Sequence, residues 1–118
     1  MTVPRRGEIY LVEFDPARGH EIRKTRPALV IQNDIGNRES QVTIVAAITS
    51  KLSQVPFPVD VRVPPTKANG LSVESAILLG QIRSVTRERL VKRLGTLDPG
   101  AMRKVDQAIK ISLGLVAL

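Results

Sequence analysis

Short runs of β-favouring residues, each closed by a turn signal, fill most of the chain, and one helical stripe fills its end. Ile9, Tyr10, Leu11, Val12 and Phe14 form a nearly unbroken apolar run that predicts a strand over Gly7–Phe14, ended by Asp15-Pro16. Residues 15–26, DPARGHEIRKTR, are polar and punctuated by Gly and Pro; a loop of that length in a compact domain is usually functional or mobile. Pro27 opens a second strand, Ala28–Asn33, and Asp34–Asn37 reads as a turn. A third strand covers Gln41–Thr49, with Val42, Ile44, Ala46 and Ile48 on one face and Thr43, Val45, Ala47 and Thr49 on the other.

Val59, Val61 and Val63 alternate with Asp60 and Arg62, the pattern of a half-exposed strand, and Pro64-Pro65 stops it. Asn69-Gly70 is a turn signal. Ser75–Val85 predicts a long last strand with Ser75, Ile77, Leu79, Gln81 and Arg83 on one face, and Thr86 is expected to cap a short helical turn. Asp98-Pro99 then starts a helix whose apolar stripe is Met102, Val105, Ile109, Leu113 and Val116. Several strands followed by a terminal helix predict a mainly-β, α+β fold: a small antiparallel barrel or curved sheet with one packed helix.

Composition narrows the chemistry. The chain has 118 residues, 42% hydrophobic and 25% charged, which predicts one domain over 1–118 with a core that needs no covalent staple. Cysteine is absent and His20 is the single histidine, so disulfides, thiolate chemistry, a histidine acid–base pair and a multi-histidine metal site are excluded within one chain. The longest apolar run, Ile44–Ile48, is far below a membrane span, and no apolar run follows the basic N-terminal residues; a cytoplasmic protein without membrane contact is expected.

Eighteen Lys and Arg against eleven Asp and Glu give a net charge of +7. Twelve of the eighteen are Arg, a residue suited to bidentate contact with phosphate or carboxylate, which favours a nucleic acid or an acidic partner over a merely basic surface. Residues 83–104 carry seven Lys or Arg and two acids, a net +5. With only Tyr10, Phe14 and Phe57 as aromatics, an extended base-stacking platform is not expected.

Four segments in order, Arg6-Gly7-Glu8-Ile9-Tyr10, Lys24 through Asp34 (KTRPALVIQND), Ala46-Ala47-Ile48-Thr49 and Gly80-Gln81-Ile82-Arg83, closely resemble the MazF/PemK family of toxin endoribonucleases. The resemblance runs from Arg6 to Leu113. It implies an SH3-like β-barrel, a homodimer, and metal-independent, cofactor-free cleavage of single-stranded RNA at a short specific sequence. It also implies inhibition by a MazE-like antitoxin with an acidic C-terminal segment. Carried over by position, the catalytic arginine falls on Arg26 and the catalytic threonine on Thr49. Arg6, Glu21, Ser75 and Gln81 are implied to contact RNA. Many members carry Glu where this chain has Gly80, so a carboxylate role there is missing.

The residues suit that chemistry. RNA brings its own nucleophile, the ribose 2′-OH, so the protein must supply alignment, proton transfer and positive charge beside the phosphate. Arg26 offers charge and forked donors but is too basic to take a proton; Thr49 can bond a phosphate oxygen or relay a proton. By residue type alone, Gln81 and Arg83 equally fit the wet face of an edge strand, Glu21 an ordinary loop acid, and 87–93 a solvated basic face. A non-enzymatic gyrase poison of the CcdB type, on the same barrel, is the alternative function; it has no need of an Arg26/Thr49 pair.

Overall fold

The computed structural model describes residues 3–14 and 25–117. Its strands are β1 (Glu8–Glu13), β2 (Thr25–Val30), β3 (Val42–Thr49), β4 (Asp60–Val63), β5 (Ser75–Thr86) and β6 (Leu90–Thr96); its helices are α1 (Asp34–Glu39) and α2 (Pro99–Ser112). The strands form one antiparallel sheet in the order β4-β5-β3-β2-β1-β6. The mainly-β class with a C-terminal helix is as expected. The sheet does not close into a barrel, because β4 and β6 stand at its two edges without pairing to each other.

The turn at 66–71 lies along the β6 edge instead. Thr96 N–H donates to the Ala68 carbonyl at 2.8 Å. Buried Asn69 fixes this turn: its Nδ2 donates to the Pro64 carbonyl, and its Oδ1 accepts from the Thr66 and Leu71 amides, each at 3.0 Å. Two glycines make the approach possible. Gly70 has φ of +71°, and a Cβ on it would overlap the Leu94 carbonyl; a Cβ on Gly95 would overlap the Ala68 carbonyl.

Both faces of the sheet are apolar, which explains why β1 reads as a continuous run rather than an alternation. Ile9, Leu29, Ala46, Ile48, Ile77 and Leu79 pack with Val105 and Ala108 of α2. Tyr10, Val12, Ala28, Val30, Val45 and Val85 form a second cluster, rimmed by Phe14 and Leu90. Asp98 caps α2 by accepting from the Ala101 amide at 3.1 Å, with Pro99 in the first turn, as the sequence predicts.

Four local expectations change. Asp34–Glu39 is a helix: Asn33 caps it through the Gly36 amide at 2.8 Å, and fully buried Asn37 ties it to the sheet by accepting from the Thr43 hydroxyl at 2.7 Å. Leu90–Thr96 is an edge strand after the expected short turn, here 3₁₀ over Arg87–Arg89; its mostly exposed, charged positions hide it from a search for apolar runs. The helix stripe stops at Ser112, leaving Leu113 and Val116 exposed. Finally, β5 does not keep one face throughout. Ala46 pairs with Ile82 and Ala47 with Leu78, so Leu79–Gln81 bulge out, and Arg83 lies opposite Val45 on the face away from Ile77.

Candidate active site

The β2–β3 ladder pairs Val30 with Val45, Leu29 with Ala46 and Ala28 with Ala47. Arg26 and Thr49 lie two residues beyond the last of these pairs, where Arg26 pairs with Val12 of β1 and Thr49 with Ala76 of β5. Both line a cleft of about 510 Å³ together with Lys51, Ser75 and the apolar walls Leu11, Pro27, Ile48 and Leu71. Arg26 is exposed, and among the described residues none pairs with its guanidinium. Thr49 is half-buried, and its Oγ1 accepts the Lys51 amide at 3.1 Å. That bond uses one lone pair of the oxygen and leaves the hydroxyl proton free for a bond to a ligand in the cleft.

Ser75 reaches the same cleft from the start of β5, but it is buried and its hydroxyl donates to the Val73 carbonyl at 2.9 Å. Gln81 lies in the bulge of β5 and lines an adjoining compartment, which shares Thr49 and Lys51 with the first. Arg26, Ser75 and Gln81 are therefore brought together around Thr49.

Arg6 is not among the lining residues of either compartment. Its Nε donates to the Ile31 carbonyl at 2.8 Å, its Nη2 pairs with Asp106 of α2 at 2.7 Å, and its amide donates to Asp34 at 2.7 Å. That amide is the main reason the Asp34 carboxyl is held below its ordinary value. Arg6 thus ties the N-terminal segment to α1 and α2. Glu21 and His20 lie outside the described residues.

Much of the arginine excess serves the fold. Arg93 pairs with the buried Glu8 carboxylate at 2.7 Å, Arg89 donates to the Glu13 and Phe14 carbonyls, and Arg87 donates to the Asn37 carbonyl. Arg83 covers the Phe14 ring, 5.1 Å from its centroid. Glu8 also accepts from the Tyr10 hydroxyl, whose pKa is raised by burial first and by the Glu8 charge second. The cations that line the two compartments are Arg26, Lys51 and Arg62.

Sequence reasoning did not single out Lys51, Asp60, Arg62 or Phe57 as lining residues. For Asp60 and Arg62 the signal was present, because the alternation with Val59, Val61 and Val63 sends both to one face. Among the described residues, no three His, Cys, Asp or Glu side chains cluster so as to hold a metal ion, and no helix is long and apolar enough to cross a membrane.

In sequence and fold the chain is similar to known proteins. The model of a family described as PemK-like, MazF-like toxin of type II toxin–antitoxin system matches residues 5–113. Endoribonuclease EndoA of Bacillus subtilis (strain 168) is 43% identical over 114 residues, covering 97% of each chain. In the solved MazE–MazF complex of Deinococcus radiodurans (Form-II), the matched chain is 26% identical, with a TM-score of 0.81, over 98% of this chain and 100% of that one. A mycobacterial endoribonuclease solved with its cognate antitoxin shares the fold at a TM-score of 0.78 and 23% identity, over 98% and 99% of the two chains.

Proposed function

The chain belongs to the family of PemK-like, MazF-like toxins of type II toxin–antitoxin systems, and from that premise we propose that it cleaves single-stranded RNA at the Arg26–Thr49 cleft by 2′-OH attack without a metal. It is an endoribonuclease toxin, as the 43% identity to EndoA over nearly the whole chain supports. The observation that supports the site is the single open cleft that both Arg26 and Thr49 line.

In the proposed step, the ribose 2′-oxygen forms a bond to phosphorus and loses its proton, while the bond from phosphorus to the 5′-oxygen breaks and that oxygen gains a proton. The products are a 2′,3′-cyclic phosphate and a 5′-hydroxyl. Arg26, exposed and without a protein partner among the described residues, is free to meet the phosphate with two parallel donors and to stabilise the charge that grows on its oxygens. The Thr49 hydroxyl, whose proton is not used in the fold, supplies a further hydrogen bond to a phosphate oxygen. Lys51 adds positive charge at the junction of the two compartments. Metal independence is supported by the donor set: the described lining residues of both compartments carry one carboxylate, Asp60, against the cations Arg26, Lys51 and Arg62, which can meet the phosphate charge themselves.

The same basic cleft suits an acidic antitoxin segment, and related MazF chains have been solved bound to MazE. We therefore assign a MazE-like antitoxin as partner and a homodimer as the working toxin. Incubation with mixed-sequence RNA in excess EDTA tests the reading. Fragments with cyclic phosphate and 5′-hydroxyl ends at one short motif are expected. Activity that needs added Mg²⁺ overturns the metal-free mechanism, and intact RNA favours the gyrase-poison alternative.

A further inference from the structure

The two edge strands of the open sheet, β4 and β6, are bridged at one residue, Asn69. On one side its Nδ2 donates to the carbonyl of Pro64, the residue that follows β4, at 3.0 Å. On the other its backbone lies so close to Gly95 of β6 that a Cβ on that glycine would overlap it. The preceding carbonyl, of Ala68, accepts the Thr96 amide of β6 at 2.8 Å. The Asn69 side chain is buried, and its Oδ1 accepts the amides of Thr66 and Leu71, each at 3.0 Å. All three bonds of the carboxamide thus go to backbone groups.

The bridge leads straight into the cleft. Gly70, Leu71, Ser72 and Val73 follow Asn69 in the chain and line the compartment that holds Arg26 and Thr49. Leu71 is fixed through its amide by Asn69 and through its side chain by the main core. Ser75, which donates to the Val73 carbonyl, pairs with Val63 at the end of β4, next to the Pro64 carbonyl that Asn69 holds. Leu94 of β6, whose carbonyl lies against Gly70, lines the same compartment. Arg26 and Thr49 come from β2 and β3 in the middle of the sheet, whereas this wall is tied to both of its edges.

We propose that Asn69 is a positioning residue for RNA cleavage: by clasping the two edges of the sheet, it fixes the wall of Gly70–Val73 and Ser75 relative to Arg26 and Thr49. The inference rests on the endoribonuclease reading of that cleft and adds a residue outside its lining. A carboxamide suits the task, because one rigid plane offers a donor to a carbonyl and an acceptor to two amides; a carboxylate has no donor. Misplacement of groups by about 1 Å costs about 10²-fold in rate, so the clasp acts on the cleavage step more than on affinity.

The test compares the parent with Asn69→Ala, Asn69→Asp and Asn37→Ala, well below each Tm and across pH. Single-turnover cleavage is measured on RNA, and affinity on the same RNA with a 2′-deoxy residue at the cleavage position. Asn69→Ala should slow cleavage by about 10²-fold with a much smaller loss of affinity. Asn69→Asp sets a carboxylate against the Pro64 carbonyl. It should be slow at neutral pH, and its rate relative to the parent should recover as pH falls and the acid regains a proton to donate. Asn37 is equally buried, ties α1 to β3 and lines neither compartment, so Asn37→Ala should lose stability and cleave at a rate near the parent's. Amide NMR of Asn69→Asp gives a readout independent of cleavage: the Leu71 and Ser75 amides should shift with the same titration. Should Asn69→Ala not fold, the pH dependence of Asn69→Asp decides. Cleavage by the Asn69 variants at the parent's rate overturns the proposal, as does a rate ratio for Asn69→Asp that is constant with pH, or a loss in Asn37→Ala as large as in Asn69→Ala. A parent that leaves RNA intact, with the amide shifts present, keeps the clasp and overturns the endoribonuclease reading.

Discussion

Arg26 and Thr49 are 23 residues apart in the chain and line one cleft in the fold, each two positions past the last paired residues of β2 and β3, Ala28 and Ala47. Past that pair the strands no longer exchange backbone bonds, so both side chains stand at a splayed strand end that opens into the cleft. The sheet supplies the fixed frame, and the polar ends of its strands supply the chemistry.

The seam between the 66–71 turn and β6 depends on the absence of a side chain at Gly95. Gly95→Ala should destabilise the protein by about 3 kcal/mol or more, because the obstacle is a backbone carbonyl rather than a flexible side chain. At this chain length that is a fall in Tm of roughly 10 °C. Gly114→Ala is the comparison: nothing lies within 4 Å of its Cβ position and only its φ of +75° opposes the change, so about 1 kcal/mol is expected. Thermal unfolding of both variants checks the difference; equal losses would show that close approach at Gly95 does not matter.

Acid titration should reveal the Asp34 link. Its carboxyl is held below its ordinary value, chiefly by the Arg6 amide. A lowered folded-state pKa contributes stability above the unfolded value, near 4, and that stability is lost as pH falls through the folded value. Asp34→Ala should therefore cost about 1 kcal/mol near neutral pH, given its partial exposure, and the gap to the parent should close below about pH 4. Urea unfolding at several pH values measures this; a gap constant with pH would contradict it.

Much of the framework was legible in the sequence and part was not, for physical reasons. β1, β3 and β5 bury side chains on both faces, so their apolar runs stand out, and Asp98-Pro99 marks α2 because capping chemistry is local. β6 is an exposed edge with Lys92 and Arg93 at its centre, and α1 holds Gly36 and Asn37, so neither carries a strong local signal. Arg26 and Thr49 were named from their motifs, but their meeting in one cleft depends on strand pairing set across α1. Arg6 was named from the same motifs, and the structure engages it with Ile31 and Asp106 away from the cleft.

Charge counts along the sequence do not separate arginines that bind from arginines that build, whereas salt dependence of RNA binding should. Arg26→Gln and Lys51→Gln should each lower the slope of log affinity against log salt by about 0.7, the value for one single-strand phosphate contact. Arg93→Gln, which removes the partner of Glu8, should cost stability and leave the slope unchanged. A slope change for Arg93→Gln equal to that for Arg26→Gln would contradict the division.

The Arg26–Thr49 pair is the centre of the proposed mechanism, and single-turnover cleavage of one RNA in excess EDTA tests its role most directly. Rates are compared for the parent, Arg26→Ala, Arg26→Lys and Thr49→Ala, with affinity measured in parallel on the 2′-deoxy substrate. Arg26→Ala should slow cleavage by about 10²–10³, because a donor aimed at growing phosphate charge is lost while the exposed side chain contributes little packing. Arg26→Lys should recover only part of that, since it keeps the charge and loses the planar fork. Thr49→Ala should also be slow, with substrate binding nearly unchanged. Cleavage by both alanine variants within about threefold of the parent, at equal affinity, would remove the pair from the mechanism.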